Sequence, residues 1–406
     1  MHFFSTLSRI LCFALLFGNI CGVEHSSPVV ELVKNKKKHK KVASSQKILE
    51  EFLHWQDELK EKLASDSPPN WMLKQIYEDL AFFIEHEMAS KEEVLYAVQQ
   101  SGNPYFLFCE IKNGSPGFYR YETEEAPIAR IRASVMCQFF SGLAALTRIP
   151  DCYFVYDLGD GIGDLRICAP VFGPAKDRLH QNKAVLMPNF ELADSNMIQR
   201  LALEVDRGNA AYPWKEKKSC AFWRGSTTGG AATFDYFLTA PRSQAVILSL
   251  KQPHLIDAKF HSLVGCLDPE AIQRSFSNYF DRFASIKTHL KYKYQLLIDG
   301  NTTSWSRAYW QLCSNCVILK QVTHNIEWFY PILIPYVHFI PIQEDLSDLE
   351  EKLLWAQAHD FQVRQISVQA NAFAKEHLCP SAIYYYTYLV LKEYAALQNH
   401  NKDNCL

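Results

Sequence analysis

The second half of the chain contains a strand, a loop, a helix and a second strand in immediate succession. The apolar run 294–299 is followed by the polar loop 300–304, a helical stretch that ends near Leu312, and the apolar run 316–320. Two strands joined by a helix pair in parallel, because the helix crosses the sheet and returns the chain to the same end. The unit therefore predicts an α/β fold whose strand ends carry a ligand.

The first half repeats this alternation with shorter elements. The runs 105–111 and 118–121 predict a hairpin around the turn 113–117, and a helix is predicted over 127–146. The apolar run 152–157 predicts a buried strand that delivers acidic residues into a glycine-rich loop. Such a loop is the usual place for a binding site in an open α/β sheet.

Helical patterns flank these elements on both sides. Apolar residues recur at spacings of three and four from about 45 to 100, and helices are predicted near 346–358, 361–377 and 380–398. With 406 residues, of which 48% are hydrophobic, the chain can bury the core of one large or two medium domains. We therefore expect an α/β protein with mostly parallel sheets and helical N- and C-terminal segments.

The N-terminus carries a short hydrophobic segment followed by a run of lysines. The apolar stretch 10–20 lies within residues 1–22 and has the length of a signal-peptide core. If the segment is instead retained as an anchor, the basic cluster Lys34–Lys41 favours a cytoplasmic position for the residues that follow. A secretory and a membrane-associated location both stay open, and so does the side of the membrane.

The charge balance argues against nucleic-acid binding. The 42 basic and 44 acidic side chains give a formal net charge of -2, so no overall positive field attracts a polyanion. The Lys34–Lys41 cluster is the exception, and it suits either a membrane surface or a solvated linker. We expect no nucleic-acid partner.

Two loops at predicted strand ends have the composition of a phosphate site. Arginine forms paired hydrogen bonds with a phosphate, and glycine and hydroxyl residues let main-chain N–H groups approach it closely. The same glycine and hydroxyl residues also form ordinary turns, and neither loop is a P-loop or a dinucleotide fingerprint. The residues of the two loops that are predicted to bind an anion are Arg224, Gly225, Ser226, Thr227, Ser304 and Arg307.

Three aspartates stand at or just after the end of the strand 152–157. Asp157, Asp160 and Asp164 are candidates for a general base that takes a proton from a hydroxyl group. Aspartate is equally suited to turns, so this second interpretation stays open. Because the loop lacks the D-x-D pair that would hold a divalent ion, we expect no essential metal.

A series of short motifs, kept in order over about 148–378, resembles glycosyltransferase family 90. This CAP10-like family includes capsule and lipopolysaccharide sugar transferases and protein O-glucosyltransferases. The resemblance does not cover the first hundred residues. The motifs are Trp214–Ser226, Lys291–Tyr294 with Asp299-Gly300, Glu327–Pro331, Tyr336–Pro341 and Asp345–Leu349.

The resemblance implies an inverting, metal-independent transferase of GT-B architecture, in which two Rossmann-like domains face each other. A UDP-sugar is expected as the donor substrate, with no other cofactor. The expected parts of the chain are a signal peptide or membrane anchor at 1–22, a basic linker at 23–44, an N-terminal acceptor-side domain carrying the base at 45–195, a C-terminal UDP-sugar-binding domain at 196–380, and a C-terminal helix at 381–406 that packs back on the N-terminal domain.

The resemblance also assigns roles to individual residues. Asp160 falls at the general-base position after Pro150-Asp151, with Gly161-Ile162 in place of the proline that usually follows. Arg224 matches the diphosphate contact of the family, and Arg307 matches a second phosphate-binding arginine across a one-residue gap. The other expected UDP-sugar-binding residues are Gly225, Ser226, Thr227, Asp299, Ser304 and Glu327.

The expected reaction moves glucose or xylose from UDP-glucose or UDP-xylose to a hydroxyl group of a glycan, a lipid-linked glycan or a protein. Modification of a cell-surface glycan or lipopolysaccharide is favoured, because Lys402–Leu406 carries no retention signal and the glycosylation acceptor Asn301-Thr302-Thr303 lies in the expected donor loop. The alternatives are a protein O-glucosyltransferase of the secretory pathway and a non-catalytic sugar- or nucleotide-binding protein.

Overall fold

In the computed structural model, which describes residues 50–403 except 51–53, 66 and 230–232, the chain forms two five-stranded sheets and a two-stranded ribbon. The predicted leader and basic linker, residues 1–44, lie outside the described residues. None of the helices within the described ranges is both long and apolar enough to cross a bilayer.

The first sheet contains both antiparallel and parallel strands. The strands of the first half are β1 Phe106–Lys112, β2 Ser115–Arg120, β3 Cys152–Asp157, β4 Val171–Gly173, β5 Lys176–Asp177 and β6 Ala184–Leu186. The sheet order is β2-β1-β3-β4-β6, with β1 antiparallel to both neighbours and the other pairs parallel. Asn113 and Gly114 have φ of 53° and 75°, the left-handed turn that matches the twist of a hairpin. The predicted hairpin is confirmed, but its turn is shorter than predicted, because β2 already begins at Ser115.

The second sheet is parallel throughout. Its order is β12-β10-β9-β7-β8, and each neighbouring pair runs in the same direction. The strands of the second half are β7 Lys218–Ser226, β8 Ile256–Ser262, β9 Tyr292–Leu297, β10 Val317–Gln321, β11 Asn325–Ile326 and β12 Ile340–Ile342. Arg224, Gly225 and Ser226 were predicted to lie in a loop, but they are the last three residues of β7.

Helices cover the sheets and form the terminal segments. They are α1 54–64, α2 Asn70–Ile84, α3 Lys91–Ser101, α4 Pro127–Leu146, α5 Phe190–Ala193, α6 Ser195–Ala211, α7 Phe234–Phe237, α8 Pro241–Lys251, α9 Pro269–Ser275, α10 Ile286–His289, α11 Ser306–Leu312, α12 Leu349–Ala358, α13 Asp360–His377 and α14 Pro380–Asp403. Short 3₁₀ turns lie at Trp214–Glu216, Ser277–Tyr279 and Tyr330–Ile332. The predicted α/β class with parallel sheets and helical terminal segments is confirmed.

The last helix, α14, packs against the first sheet. The Tyr394 hydroxyl donates to the main-chain oxygen of Tyr153 at 3.0 Å, and the Tyr386 hydroxyl donates to that of Leu186 at 3.3 Å. Both donors are buried. Each tyrosine therefore satisfies its hydroxyl while its ring fills the core, which fixes α14 against β3 and β6.

A buried ion pair joins α2 to β5. The side chains of Asp79 and Lys176 are 1% and 9% exposed, and Lys176 Nζ donates to Asp79 Oδ1 at 2.5 Å. Asp79 Oδ2 accepts from the main-chain N–H of Leu186 at 2.8 Å, and Gln75 donates to Oδ1. Because both charged groups are buried away from water, each depends on the other to compensate its charge.

The two-stranded ribbon connects the two halves. β5 and β11 pair antiparallel, with Asn325 opposite Asp177 and Ile326 opposite Lys176. The main-chain N–H of Arg178 also donates to the carbonyl of His324 at 3.1 Å. These main-chain bonds fix the loop that follows β10 against the first half.

Removal of the Asp79 charge leaves Lys176 buried without its counter-ion. We predict that Asp79→Asn lowers the free energy of unfolding by about 3–5 kcal/mol, the usual cost of breaking a buried pair. Chemical denaturation followed by circular dichroism measures this change. The matched control is Asp57→Asn, which breaks an exposed pair with Lys60 and should leave the midpoint nearly unchanged. Equal midpoints for wild type and Asp79→Asn would show that the pair does not hold α2.

Candidate active site

A cleft lies between the carboxyl ends of β7 and β9 and the loop that follows β3. Adjacent parallel strands end at the same edge of a sheet, so the side chains that follow them converge there. The cleft brings together five predicted residues, which are Asp160, Gly225, Ser226, Ser304 and Arg307, with Arg132, Arg242 and His261. The structure therefore assembles residues from both halves at one place.

Gly225 brings the main chain of β7 to the edge of this cleft. A Cβ atom at this position would lie 2.3 Å from the Trp223 ring, so only glycine fits. The neighbouring Ser226 Oγ lies 3.1 Å from Thr228 Oγ1. On the adjacent strand end, the Ser304 hydroxyl donates to the Ile298 carbonyl at 2.7 Å. Both serines thus line the cleft from positions that the backbone fixes.

Arg242 is a cleft residue that the sequence interpretation does not include. It lies in the first turn of α8, and its guanidinium donates to the carbonyls of Asp299, Ser226 and Ile298 at 2.9–3.2 Å. It also donates to the Thr228 hydroxyl at 2.6 Å. These bonds hold the ends of β7 and β9 together. Burial, followed by the nearby Arg307 charge, lowers the pKa of Arg242 to about 9.

Arg307 is the second guanidinium of the cleft. Its Nη2 donates to the main-chain oxygen of Arg224 at 2.8 Å, whereas its Nη1 is buried without a hydrogen-bond partner. Burial lowers its pKa to about 10. Within the described part of the chain, neither Arg307 nor Arg242 forms an ion pair with a carboxylate. The cleft therefore contains two close positive charges that an anion would compensate.

Arg224 lies outside this lining. Its guanidinium is 2.8 Å from a carboxylate oxygen of Asp257 and 2.8 Å from one of Asp281, and it stacks over the Phe222 ring. Arg224 and Phe222 lie on the same face of β7, because side chains two residues apart along a strand point the same way. The diphosphate contact expected for Arg224 stays a prediction, and only its main-chain oxygen contacts a cleft residue, Arg307.

Thr227 also has a partner outside the cleft. Its hydroxyl donates to the carbonyl of Val264 at 2.9 Å and accepts from the N–H of the same residue at 2.8 Å. Thr227 is 1% exposed. Its side chain joins the end of β7 to the segment after β8, so its expected contact with the donor likewise stays a prediction.

Asp160 lies at the first-half side of the cleft with both carboxylate oxygens in hydrogen bonds. Oδ1 accepts from Nη1 and Nη2 of Arg132 at 3.1 Å, and Oδ2 accepts from the side-chain amide of Asn301 at 2.9 Å. The Thr302 hydroxyl donates to the main-chain oxygen of Asp160. The predicted base therefore contacts the predicted donor loop directly.

The two neighbouring aspartates shape the loop that carries Asp160. Asp157 is buried and accepts from the N–H groups of Gly159 and Gly163, each at 2.7 Å. Burial raises its pKa to about 6. Asp164 accepts from the N–H of Arg166 at 2.9 Å in a local turn. Asp157 and Asp164 therefore accept main-chain hydrogen bonds within the loop, as expected for turn residues.

Asp299 and Glu327 lie behind the cleft wall. Asp299 Oδ2 accepts from the Thr323 hydroxyl at 2.6 Å and from the Asn325 amide at 3.3 Å. Glu327 is fully buried, accepts from the Asn189 amide at 3.3 Å, and has its pKa raised to about 8 by burial. Both carboxyl groups support the walls from within, and their expected contact with the donor stays a prediction.

The described residues contain no group of three or more histidine, cysteine, aspartate or glutamate side chains arranged to hold a metal ion. Metal independence itself stays a prediction. The positive charge of the cleft is supplied by arginines, with His261 beside them, and burial and the Arg307 charge lower the pKa of this histidine.

The family model described as glycosyl transferase family 90 matches residues 67–404 of the chain. Protein O-glucosyltransferase 2 of Danio rerio is 28% identical over 274 residues, which cover 65% of this chain and 51% of the relative. Protein O-glucosyltransferase 3 of Homo sapiens is 29% identical over 277 residues, which cover 64% of this chain and 50% of the relative.

A third relative matches a smaller part of the chain. Protein O-glucosyltransferase 1 of Homo sapiens is 29% identical over 195 residues, which cover 48% of this chain and 46% of the relative. The chain therefore spans about half the length of the curated relatives that it matches.

Proposed function

The chain belongs to glycosyltransferase family 90, and from that premise we propose that it transfers glucose from UDP-glucose to a hydroxyl group of a protein. The observation that carries the proposal is the pair of cleft arginines, Arg242 and Arg307, which have no carboxylate partner in the described part of the chain. UDP-xylose is the competing donor.

A diphosphate supplies what this pair lacks. Arg307 Nη1 is a buried donor without an acceptor, and such a group costs about 1–3 kcal/mol when it stays unsatisfied. A phosphate oxygen would accept from it and would compensate both guanidinium charges at once. The hydroxyls of Ser226 and Thr228 line the same cleft and can donate to further phosphate oxygens.

In the proposed reaction, the acceptor oxygen forms a bond to the anomeric carbon while the bond from that carbon to the diphosphate breaks. The hydroxyl proton passes to Asp160, and UDP leaves as the anion. Arg242 and Arg307 stabilise the charge that develops on the leaving group, the task of a divalent ion in other transferases. One displacement of this kind inverts the anomeric centre, so the proposal is an inverting, metal-independent transfer.

The proposed acceptor follows the names of the relatives. The matched proteins are protein O-glucosyltransferases, which favours a protein hydroxyl over the cell-surface glycan or lipopolysaccharide that the sequence alone suggested. A protein acceptor also favours the secretory pathway for this chain. Lipid-linked and surface glycans are the competing acceptors.

The acceptor class can be measured by transfer of radioactive glucose from UDP-glucose in parallel reactions. We predict label on folded secreted protein domains and none on purified lipopolysaccharide, and proteolysis of the labelled product should yield glycosylated peptides. Label on lipopolysaccharide alone would replace the protein acceptor with the glycan acceptor. No transfer to either acceptor or to water, together with UDP binding, would instead support the non-catalytic binding protein.

Loss of the Arg307 charge should weaken UDP binding. We predict that Arg307→Met raises the UDP dissociation constant by roughly 10- to 150-fold, because about 1.5–3 kcal/mol is typical for hydrogen bonds between charged groups. Equilibrium dialysis with labelled UDP measures the change. The control is Arg274→Met on α9, an exposed arginine paired with Glu270, which should bind UDP like the wild type.

A second variant tests whether Arg224 contacts the diphosphate. Arg224→Met removes a guanidinium that two carboxylates already compensate, so a folded variant should retain most of the UDP affinity. A loss as large as that of Arg307→Met would confirm the diphosphate contact that the resemblance assigns to Arg224. An unchanged isotherm for Arg307→Met would remove the phosphate site from this cleft.

Replacement of Asp160 tests proton transfer separately from UDP binding. Asp160→Asn keeps the shape of the side chain but cannot take the proton, so we predict that transfer falls by about 10²- to 10⁴-fold while the UDP dissociation constant stays the same. Initial rates with saturating donor and acceptor provide the measurement. Wild-type turnover in Asp160→Asn would assign the base to another residue.

A further inference from the structure

Arg132 is a cleft residue without an assigned role. It lies on α4, and its guanidinium donates to the Leu158 carbonyl at 2.7 Å as well as to Asp160 Oδ1 at 3.1 Å from both Nη atoms. The side chain is 13% exposed, so these bonds form where water competes little. One carboxylate oxygen of Asp160 is therefore held at a fixed place by a rigid fork.

Two aromatic rings hold this guanidinium from different parts of the chain. Arg132 Cζ lies 4.5 Å from the centroid of Phe190 and 4.8 Å from that of Trp305. The two rings also contact each other edge to face, with centroids 5.1 Å apart. Phe190 opens α5 in the first half, whereas Trp305 directly precedes α11 in the second half. Arg132 thus contacts both the predicted base and the segment 300–306, the donor-side loop, which contains the expected donor loop and Trp305.

Trp305 has an unusual backbone conformation that this contact explains. Its φ is 47°, in the left-handed region that a bulky side chain rarely adopts, and such a residue costs about 1–3 kcal/mol. The following N–H, that of Ser306, donates to Glu191 at 3.1 Å. The strain persists because Arg132, Phe190 and the neighbouring hydrogen bond hold the Trp305 segment against the first half.

The fork leaves the other oxygen of Asp160 accessible to chemistry. Oδ2 accepts from the Asn301 amide, and each carboxylate oxygen has two lone pairs, so one site of Oδ2 remains for an acceptor hydroxyl. A partial rotation of the carboxylate about its Cβ–Cγ bond would turn this site away from the acceptor hydroxyl. Arg132 prevents that rotation, since its two donors hold Oδ1 from one direction.

We propose that Arg132 is the positioning residue of this site: it orients the Asp160 carboxylate and couples that orientation to the donor-side loop through Trp305. The proposal rests on the proposed transfer for its effect on turnover, whereas the coupling between the two segments stands independently of any activity. Lysine cannot replace arginine here, because an ammonium group has no planar fork to hold the carboxylate and lie between two rings.

The test compares Arg132→Lys and Arg132→Gln with Arg130→Gln, an exposed arginine on the same helix. Hydrogen–deuterium exchange reports on the main-chain N–H groups of 159–163 and 300–306. We expect faster exchange in both segments for each Arg132 variant and wild-type exchange for Arg130→Gln. If exchange in 300–306 is unchanged in folded Arg132→Gln, Arg132 does not couple the base to the donor-side loop.

Kinetics test the positioning role on the same proteins. We expect kcat to fall by about 10²-fold in both Arg132 variants, the typical effect of a misplaced group, while the UDP dissociation constant changes less than threefold. A kcat equal to that of the wild type would overturn the positioning role. If the wild type itself transfers no sugar, the proposed function and the positioning role both fail, and the exchange data still decide the coupling.

Discussion

Uncompensated positive charge at the ends of two parallel strands is the constraint on which the site depends. Arg242 joins β7 to β9 by donating to three carbonyls, and Arg307 is placed beside it by α11. Carbonyl dipoles stabilise a buried guanidinium without neutralising it, so the cleft retains its attraction for an anion. On the opposite side, Asp160 contacts the donor-side loop through Asn301 and Thr302. The two arginines and the predicted base thus lie on opposite sides of the same cleft.

The sequence predicted a helix or strand well where its apolar pattern was long and ended at clear turn residues. The helix Pro127–Leu146 and the strand Cys152–Asp157 have the predicted bounds, and the unit of β9, α11 and β10 pairs in parallel as expected. The end of β7 differs, because glycine, serine and threonine suggested a loop, yet Ser226 still belongs to the strand. Glycine there serves close packing against Trp223 and not a turn, and local sequence does not show that contact.

The structure brings some of the predicted site residues together and leaves others apart. Asp160, Gly225, Ser226, Ser304 and Arg307 meet at the cleft, whereas Arg224 and Thr227 have partners elsewhere, which depend on tertiary neighbours that the sequence does not reveal. Arg242 left a signal, since it shares a helix face with the buried residues Ala245, Val246 and Ser249. Arginine on an apolar face indicates a buried partner or ligand. Arg132 carries the same signal, because Ala129, Met136 and Phe139, which share its face of α4, are all buried.

The central claim is that the arginine cleft holds a nucleoside-diphosphate sugar without a divalent ion. Calorimetric titration of the full chain with UDP-glucose, once in EDTA and once in excess manganese, tests it most directly. The account predicts micromolar binding with the same dissociation constant in both buffers, because guanidinium groups carry the compensating charge. Binding that appears only with manganese, or no binding by a folded protein in either buffer, would contradict it.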